Sequence, residues 1–574
     1  MTVTRHRGSP ARPRRRLALA LTALLLPALL GPLGGARAAA ADATATKTAV
    51  LWPLTATPSM TAAALGSGAA AEAVFDGDAL AAEFADGGRL REVVEAGKGR
   101  EVTWVVDPDL IVAARAMAGG YRLMGSTVSP RDSTKGTGSD AASDWLAALK
   151  DAVRDQDVIV LPYADADLAS LAHHPGKDTD SITTVVRGLA ADGRQAVGEA
   201  LGTEAAAGLG WPADGVLDEA VTALAGQLGL GLVLASGQGL DGTPSGPVRL
   251  PGGKVTALPY DAELTSALAG AEPPSRDRLE ALLEAGGHPV VVPPRDLSGA
   301  AAGALAAALD AEVRADRLDA AGLDEVSGDP APAQFTGAYP AALRKSELTG
   351  AQLAATADDL TGLATLTRVL ANPEATTTSV HAAMARAVST AWRSPGRTGE
   401  TGDTGRTGEA DPDSQEPDRS AQEAFARTTT DFLATGVTSV HLLPKTGVKL
   451  TSGSASLPVT VENGLQQEIA GLELRTTSDD TARITVRDPV VAVRVPGGAA
   501  GTVRVGVNAR ASGPARLTAK LYTTADGKPW GEPIAFEAEV TPVPTTAIVA
   551  VVAGAVLIAA AMLLRMRRAR RRRT

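Results

Sequence analysis

Between residue 46 and about residue 300 the chain repeats one grammar seven times: a short apolar run, a stop, then a helical pattern. The runs are "TAVLWPL", "EVTWVVDP", "DVIVLPYAD", "AAGLGWPADG", "LGLGLVLAS", "KVTALPYD" and "HPVVVPPRD". They are rich in Val, Leu and Ile without strict alternation, as strands covered on both faces are. The stretches between them are amphipathic. In "DALAAEFADGGRLREVVEAG", Leu80 and Phe84 stand four apart, and Leu90, Val93 and Val94 continue the stripe. Alternation of strand and helix means a parallel sheet. Seven strands are one short of an ordinary (β/α)8 barrel. Residues 41–300 therefore predict a (β/α)7-like barrel or an open doubly wound sheet.

The stops share a chemistry. Trp52-Pro53, Asp107-Pro108, Pro162-Tyr163, Trp211-Pro212, Pro259-Tyr260 and Pro293-Pro294 follow the apolar runs. Proline ends a ladder because it donates no N–H. Acids come next: Asp107, Asp109, Asp165, Asp167, Asp214, Asp261, Glu263 and Asp296. In a parallel barrel these ends share one face. The candidate ligand-facing rim is thus Trp52, Trp104, Asp107, Tyr163, Asp165, Trp211, Tyr260 and Asp261. Each acid has a structural role open to it as well. Asp165, Asp214 and Asp261 sit just before helical patterns, where a carboxylate accepts backbone N–H bonds as an N-cap.

Residues 301–440 read as helices, interrupted at 394–418 by "SPGRTGETGDTGRTGEADPDSQEPD", a low-complexity loop. From 447 to 542 the period changes to two. Segments such as "ASLPVTVEN", "GTVRVGVNAR" and "ARLTAKLYT" alternate between turn residues, which predicts an Ig-like β-sandwich acting as a stalk or spacer.

The two ends look like targeting segments. Residues 1–40 carry an arginine cluster, the apolar run Leu17 to Leu30 and a small-residue site around Ala36-Arg37-Ala38, the pattern of a secretory signal peptide. Thr546 to Leu564 are nineteen uncharged residues, about 28 Å as a helix and long enough for one crossing. The tail, residues 565–574, holds seven arginines, which by the positive-inside rule stay in the cytoplasm. The expectation is a single-pass type I membrane protein with its bulk outside, the span and tail also meeting lipid.

The formal net charge is −10, and removing the two seven-arginine ends leaves −24 for the part between them. That acidity argues against nucleic acid as a partner. With no cysteine, thiolate catalysis, Fe–S clusters and cysteine zinc sites are excluded. Neither a P-loop nor a dinucleotide fingerprint follows a strand, so no cofactor is expected.

The stretches "VLWPLTATP", "TWVVDPDLI", "VIVLPYADADLASLAHH", "GWPADGVLDEA" and "PVVVPPRD" resemble the (β/α)7 barrels of polysaccharide deacetylases and related glycoside hydrolases. The whole chain order resembles an uncharacterised family of actinobacterial exported proteins with a C-terminal membrane anchor. The resemblance implies a cell-envelope context, with an envelope glycan or a membrane protein of wall assembly as partner. Deacetylation would need a metal held by Asp and two His. Here "LWPLTATP" offers no acid and "VVDPDLI" no histidine, while His173 and His174 are adjacent rather than spaced by a helical turn. No metal is expected. Glycoside hydrolysis needs only two carboxylates, for which Asp214 and Asp296 are the catalytic candidates, with Trp52, Trp104 and Trp211 as stacking faces. The favoured expectation is a non-catalytic, membrane-anchored envelope protein that binds a glycan or a partner protein. A glycoside hydrolase is the alternative.

Overall fold

A computed structural model describes residues 46–570 except 243, 271, 394–418, 452 and 542–544. The expected signal peptide and the low-complexity insert lie outside the described residues.

Seven strands form where the apolar runs predict them: β1 (Thr46–Leu54), β2 (Thr103–Val106), β3 (Asp157–Val160), β4 (Leu209–Gly210), β5 (Leu232–Ala235), β6 (Thr256–Pro259) and β7 (Val290–Val291). Their pairing corrects the expected (β/α)7 barrel. They fall into two five-stranded sheets. One runs β7-β1-β2-β3, with Leu318–Ala320 beside the start of β1, and the other runs from Ala331–Pro332 through Val248–Arg249 to β6-β5-β4. The second sheet is mixed, because Val248–Arg249 lies antiparallel to β6.

Among the described residues, the backbones of the two sheets meet at the isolated parallel bridges Ile159↔Ala206 and Tyr260↔Val290. Strand length explains why no continuous seven-stranded ladder forms. Pro289 and Pro293 bracket β7, and Trp211-Pro212 ends β4, so each spans two residues. Val248–Arg249 occupies the edge of β6 at Thr256 and Ala257, which leaves only Tyr260 to reach β7. Leu51, Val105, Ile159, Leu234, Leu258 and Val290 from both sheets nevertheless share one core.

The predicted helix over residues 78–97 breaks into Ala79–Phe84 and Arg89–Gly97. Gly87 takes a φ of 76°, and a Cβ on Gly88 would stand 2.2 Å from the Ala82 carbonyl oxygen. A further four-stranded sheet joins Met60–Leu65, Glu72–Phe75, Tyr121–Leu123 and Thr134–Lys135.

The helices Gly350–Thr367, Glu374–Ala387 and Arg419–Thr438 follow the α/β part. Asp359, on the first of these, is buried and accepts a hydrogen bond from Thr430 Oγ1 at 2.9 Å across the interface with the third. Burial pushes its carboxyl up to about 6 from 3.8. The folded state then holds this proton more tightly than the unfolded chain, so the contribution of Asp359 to stability is greatest below pH 3.8 and is lost as pH rises through about 6. The loss is on the order of 3 kcal/mol. Asp359→Asn keeps an acceptor for Thr430 and has no charge to bury. Urea unfolding is expected to show the variant about 2–3 kcal/mol more stable than the parent at pH 8 and equal to it at pH 4. A parent at least as stable as the variant at pH 8 would contradict this.

Beyond residue 440 two sheets stack as a sandwich. One is ordered Val440–Leu442, Gly453–Asn463, Ala499–Ala509, Ile484–Val486. The other is Val448–Thr451, Pro529–Thr541, Gly513–Thr523, Ile469–Ser478, Val490–Val495. Leu517, Ala519 and Leu521 are buried at every second position along one strand. The sandwich packs directly on the helical region. Its inner residues, such as Leu472 and Val440, belong to the same core as Leu363, Leu366 and Leu370 of the helical region.

The membrane expectation is also corrected. A helix does run from Thr545 to Arg570, and its large apolar side chains from Val551 to Met566 are exposed. Yet no helix of the described residues is long and apolar enough to cross a membrane. The stretch in which its side chains are described, 551–568, already carries Arg565, Arg567 and Arg568. The single-pass placement falls with that finding.

Candidate functional site

An open cleft of about 1360 Å³ lies at the carboxyl ends of the strands. Thr55 follows β1, Asp165 follows β3, Trp211 and Asp214 follow β4, Ser236 follows β5, Tyr260 follows β6, and Arg295 and Asp296 follow β7; all of them line it. The helical region closes another side with Ser346, Thr390, Trp392 and Arg393.

Arg295 organises the cleft. Its Nε donates to Asp165 Oδ2 at 2.6 Å, and its Nη2 donates to the Trp211 carbonyl. The guanidinium lies over the Trp211 ring, 4.2 Å from the centroid, a cation–π arrangement. Thr55 Oγ1 holds the Arg295 carbonyl at 2.8 Å. Burial raises the Asp165 carboxyl above its ordinary value, outweighing the opposing pull of Arg295. Behind it Asp107 is raised further, first by burial and then by the charges of Asp109 and Asp165.

The backbone is strained at this rim. Ala164, Asp165 and Asp214 have φ of 58°, 45° and 50°, in the left-handed region that side chains disfavour. Gly215 is required beside them, since a Cβ there would stand 2.5 Å from the Tyr260 hydroxyl.

The rim residues singled out in the sequence separate into two groups. Trp211, Tyr260, Asp165, Asp214 and Asp296 line the cleft, the last two exposed. Trp52, Trp104, Asp107 and Tyr163 do not. Trp52 and Trp104 are fully buried under the helix Arg89–Gly97, where Trp52 Nε1 donates to the Val93 carbonyl at 2.8 Å. A Cβ on Gly97 would stand 2.6 Å from both rings. Neither tryptophan can stack on a ligand in this position, and the face of Trp211 is taken by Arg295.

Asp107 and Asp261 act as caps, accepting from the N–H of Asp109 at 2.9 Å and of Glu263 at 2.8 Å. Asp165 and Asp214 do not cap. Asp167 and Asp218, a few residues on, do so instead.

The residues that sequence reasoning missed are the partners of the acids. Arg386 pairs with Asp109, and Arg393 pairs with Asp167 at 2.5 Å. Arg393 also reaches the Leu343 carbonyl and Ser346 Oγ, each at 3.1 Å. His173 bridges Glu347 at 2.6 Å and Asp218 at 2.9 Å. Its burial alone would lower the ring's pKa, but the two carboxylates hold it above the ordinary value. Arg295 was in plain sight inside "PPRD", next to the Asp296 that drew attention. Among the described residues no group of three His, Asp or Glu is placed to hold a metal ion.

Three solved structures similar to parts of this chain each cover less than a fifth of it. A Caenorhabditis elegans MSP family member, WR4, is 9% identical, covering 18% of this chain and 98% of that one, with a TM-score of 0.14. The Escherichia coli alpha-2-macroglobulin from domain MG7 to the C-terminus is 17% identical, covering 18% and 16%, with a TM-score of 0.15. The ASH/PapD-like domain 7 of human CEP192 is 8% identical, covering 19% and 88%, with a TM-score of 0.14. No curated protein matches the sequence. One family model matches residues 33–572, nearly the whole chain, and the chain therefore belongs to DUF6049, a family of unknown function.

Proposed function

We propose that this is a non-catalytic binding protein whose strand-end cleft takes a glycan, with a role in cell-wall assembly and an actinobacterial source as parts of the same reading. The observation that carries it is the commitment of five strand-end carboxylates, which leaves Asp214 and Asp296 exposed on the cleft wall without one of these five beside them as a free partner in acid–base work. Asp165 is tied to Arg295, Asp109 to Arg386 and Asp167 to Arg393, while Asp107 and Asp261 cap helices. An acid held in a charge-assisted pair by arginine is a scaffold part rather than a proton shuttle. What remains is a large polar-edged cleft on a rigid frame.

A glycoside hydrolase is the second reading. One feature favours it: a buried carboxyl with a raised pKa, Asp165, shares the cleft with the exposed Asp214, and acid–base pairs are built from such contrasts.

Co-sedimentation with purified insoluble peptidoglycan, followed by an assay for new reducing ends, separates the two. Binding is expected without release, and it is expected to weaken at least about tenfold in Gln238→Trp, which plugs an exposed lining position. Reducing ends that appear with the parent and vanish in Asp165→Asn would replace binding by hydrolysis. Absence of sedimentation would remove the glycan reading altogether.

A further inference from the structure

The charge state of the cleft specifies which glycan it takes. Three arginines line it, and each is already engaged. Arg89 binds Glu83 and the Thr55 carbonyl, Arg295 binds Asp165 and Trp211, and Arg393 binds Asp167 and the Leu343 carbonyl. None offers a free cation to an incoming anion. The acids are not balanced in the same way. Asp214 and Glu92 line the cleft and are exposed, and among the described residues neither takes part in an ion pair.

Their positions are fixed. Asp214 sits on a one-turn 3-10 segment, Ala213–Gly215, closed by the Gly215 N–H to Pro212 carbonyl bond at 3.0 Å. The Gly215 carbonyl accepts in turn from Ser236 N–H at 2.9 Å. Glu92 lies against Gly299, where the helix Gly299–Arg314 begins. That helix end offsets part of the Glu92 charge, so Asp214 carries the larger share of the field.

A concave wall with low-dielectric sides focuses such a field into the cleft. A polyanion entering here would face like charge with no arginine released to meet it, and a neutral sugar would gain hydrogen bonds alone. A sugar bearing protonated amines gains an ion pair as well.

We infer that the cleft selects amine-bearing glycans, polymers of unacetylated amino sugar, over their acetylated and anionic counterparts, through Asp214 and Glu92. This rests on the glycan reading above and adds the charge of the ligand to it.

Calorimetric titration of the full chain at about pH 5.5 and low salt tests the selection with four hexamers: glucosamine, N-acetylglucosamine, galacturonate and lysine. The glucosamine hexamer is expected to bind about tenfold tighter than the N-acetylglucosamine hexamer. That gap should close at about 0.5 M salt and in an Asp214→Asn, Glu92→Gln double variant, whose thermal unfolding, with both sites exposed, should match the parent. Equal affinity for the two amino-sugar hexamers would overturn the charge selection and leave the glycan reading standing. So would tighter binding of galacturonate. Binding of the lysine hexamer alone, lost in the double variant, would keep the acidic cleft but overturn its assignment to a sugar. Failure of every hexamer would overturn both.

Discussion

Arg386→Ala is expected to cost about 3–5 kcal/mol of unfolding free energy, the largest effect of any single change at the rim. Arg386 is 1% exposed. Its Nε lies 2.8 and 3.0 Å from the two Asp109 oxygens, and its Nη2 is 3.3 Å from the Tyr163 hydroxyl. Truncation leaves Asp109 buried with no cation, next to Asp107, whose own carboxyl burial and neighbouring charge already hold in the protonated direction. Two like groups then compete for one dry site. Arg386→Lys should recover only part of the loss, since an ammonium cannot reproduce the two-point geometry. The double variant Asp109→Asn, Arg386→Met should regain most of it, because replacing both partners of a buried pair is far cheaper than removing one. Urea unfolding of the parent, both single variants and the double variant measures all of this. A cost below about 1 kcal/mol for Arg386→Ala would mean that the pair does not hold the helix Glu374–Ala387 against the strand ends.

The strands were legible because their signal is local. Seven apolar runs, six of them closed by proline, mark seven strands wherever the sheets end up. The pairing was not legible, because it depends on which edge is free. Val248–Arg249, a two-residue strand within "GPVRLPGGK", gave no periodic signal and yet takes half of the edge that β6 would have given to β7. The four-stranded sheet around Tyr121–Leu123 was missed for the same reason, since its strands are short and the longest, Met60–Leu65, is alanine-rich.

The site was half legible. Pro or aromatic residues after six of the seven runs located the cleft, and Trp211, Tyr260 and Asp165 do line it. Spacing could not show that "LPYAD" and "LPYDA" part company. The first turns left-handed at Ala164 and Asp165 and sends its acid to Arg295, leaving Asp167 to cap. The second caps directly with Asp261. The arginines that decide the chemistry come from 130 and 277 positions away in sequence from the acids they meet, beyond the reach of any local pattern.

Gly471→Ala should destabilise the whole described chain, not the sandwich alone. Gly471 lies where the strand Ile469–Ser478 crosses the end of the helical region. A Cβ there would stand 1.9 Å from the Arg368 carbonyl oxygen and 3.0 Å from Val369 Cα. Both obstacles are backbone, which cannot swing aside as a flexible side chain would. The crossing is also held by main-chain bonds. Ala470 N–H donates to the Val369 carbonyl at 3.0 Å and Ala371 N–H donates to the Glu468 carbonyl at 2.9 Å, while Arg368 meets Asp526 at 3.0 Å. Moving the strand away to admit a methyl group breaks these bonds and opens the core shared by Leu370, Ile469 and Leu472. Overpacking of a tight site costs about 1–3 kcal/mol, and two broken main-chain bonds add about 1 kcal/mol each. The expected loss is thus about 3–5 kcal/mol, in a transition that stays single because one core spans both parts. Gly303→Ala supplies a control of opposite sign. It sits within the helix Gly299–Arg314 with open space around its Cβ position, and alanine there should stabilise by about 0.5–1 kcal/mol. Calorimetry that resolves two transitions in Gly471→Ala, with the sandwich melting apart from the rest, would show it to be an appended module. A variant as stable as the parent would show that the crossing is not tight. A single transition at lower temperature means that the sandwich and the helices framing the cleft fold as one body, so a change in either is felt by the other.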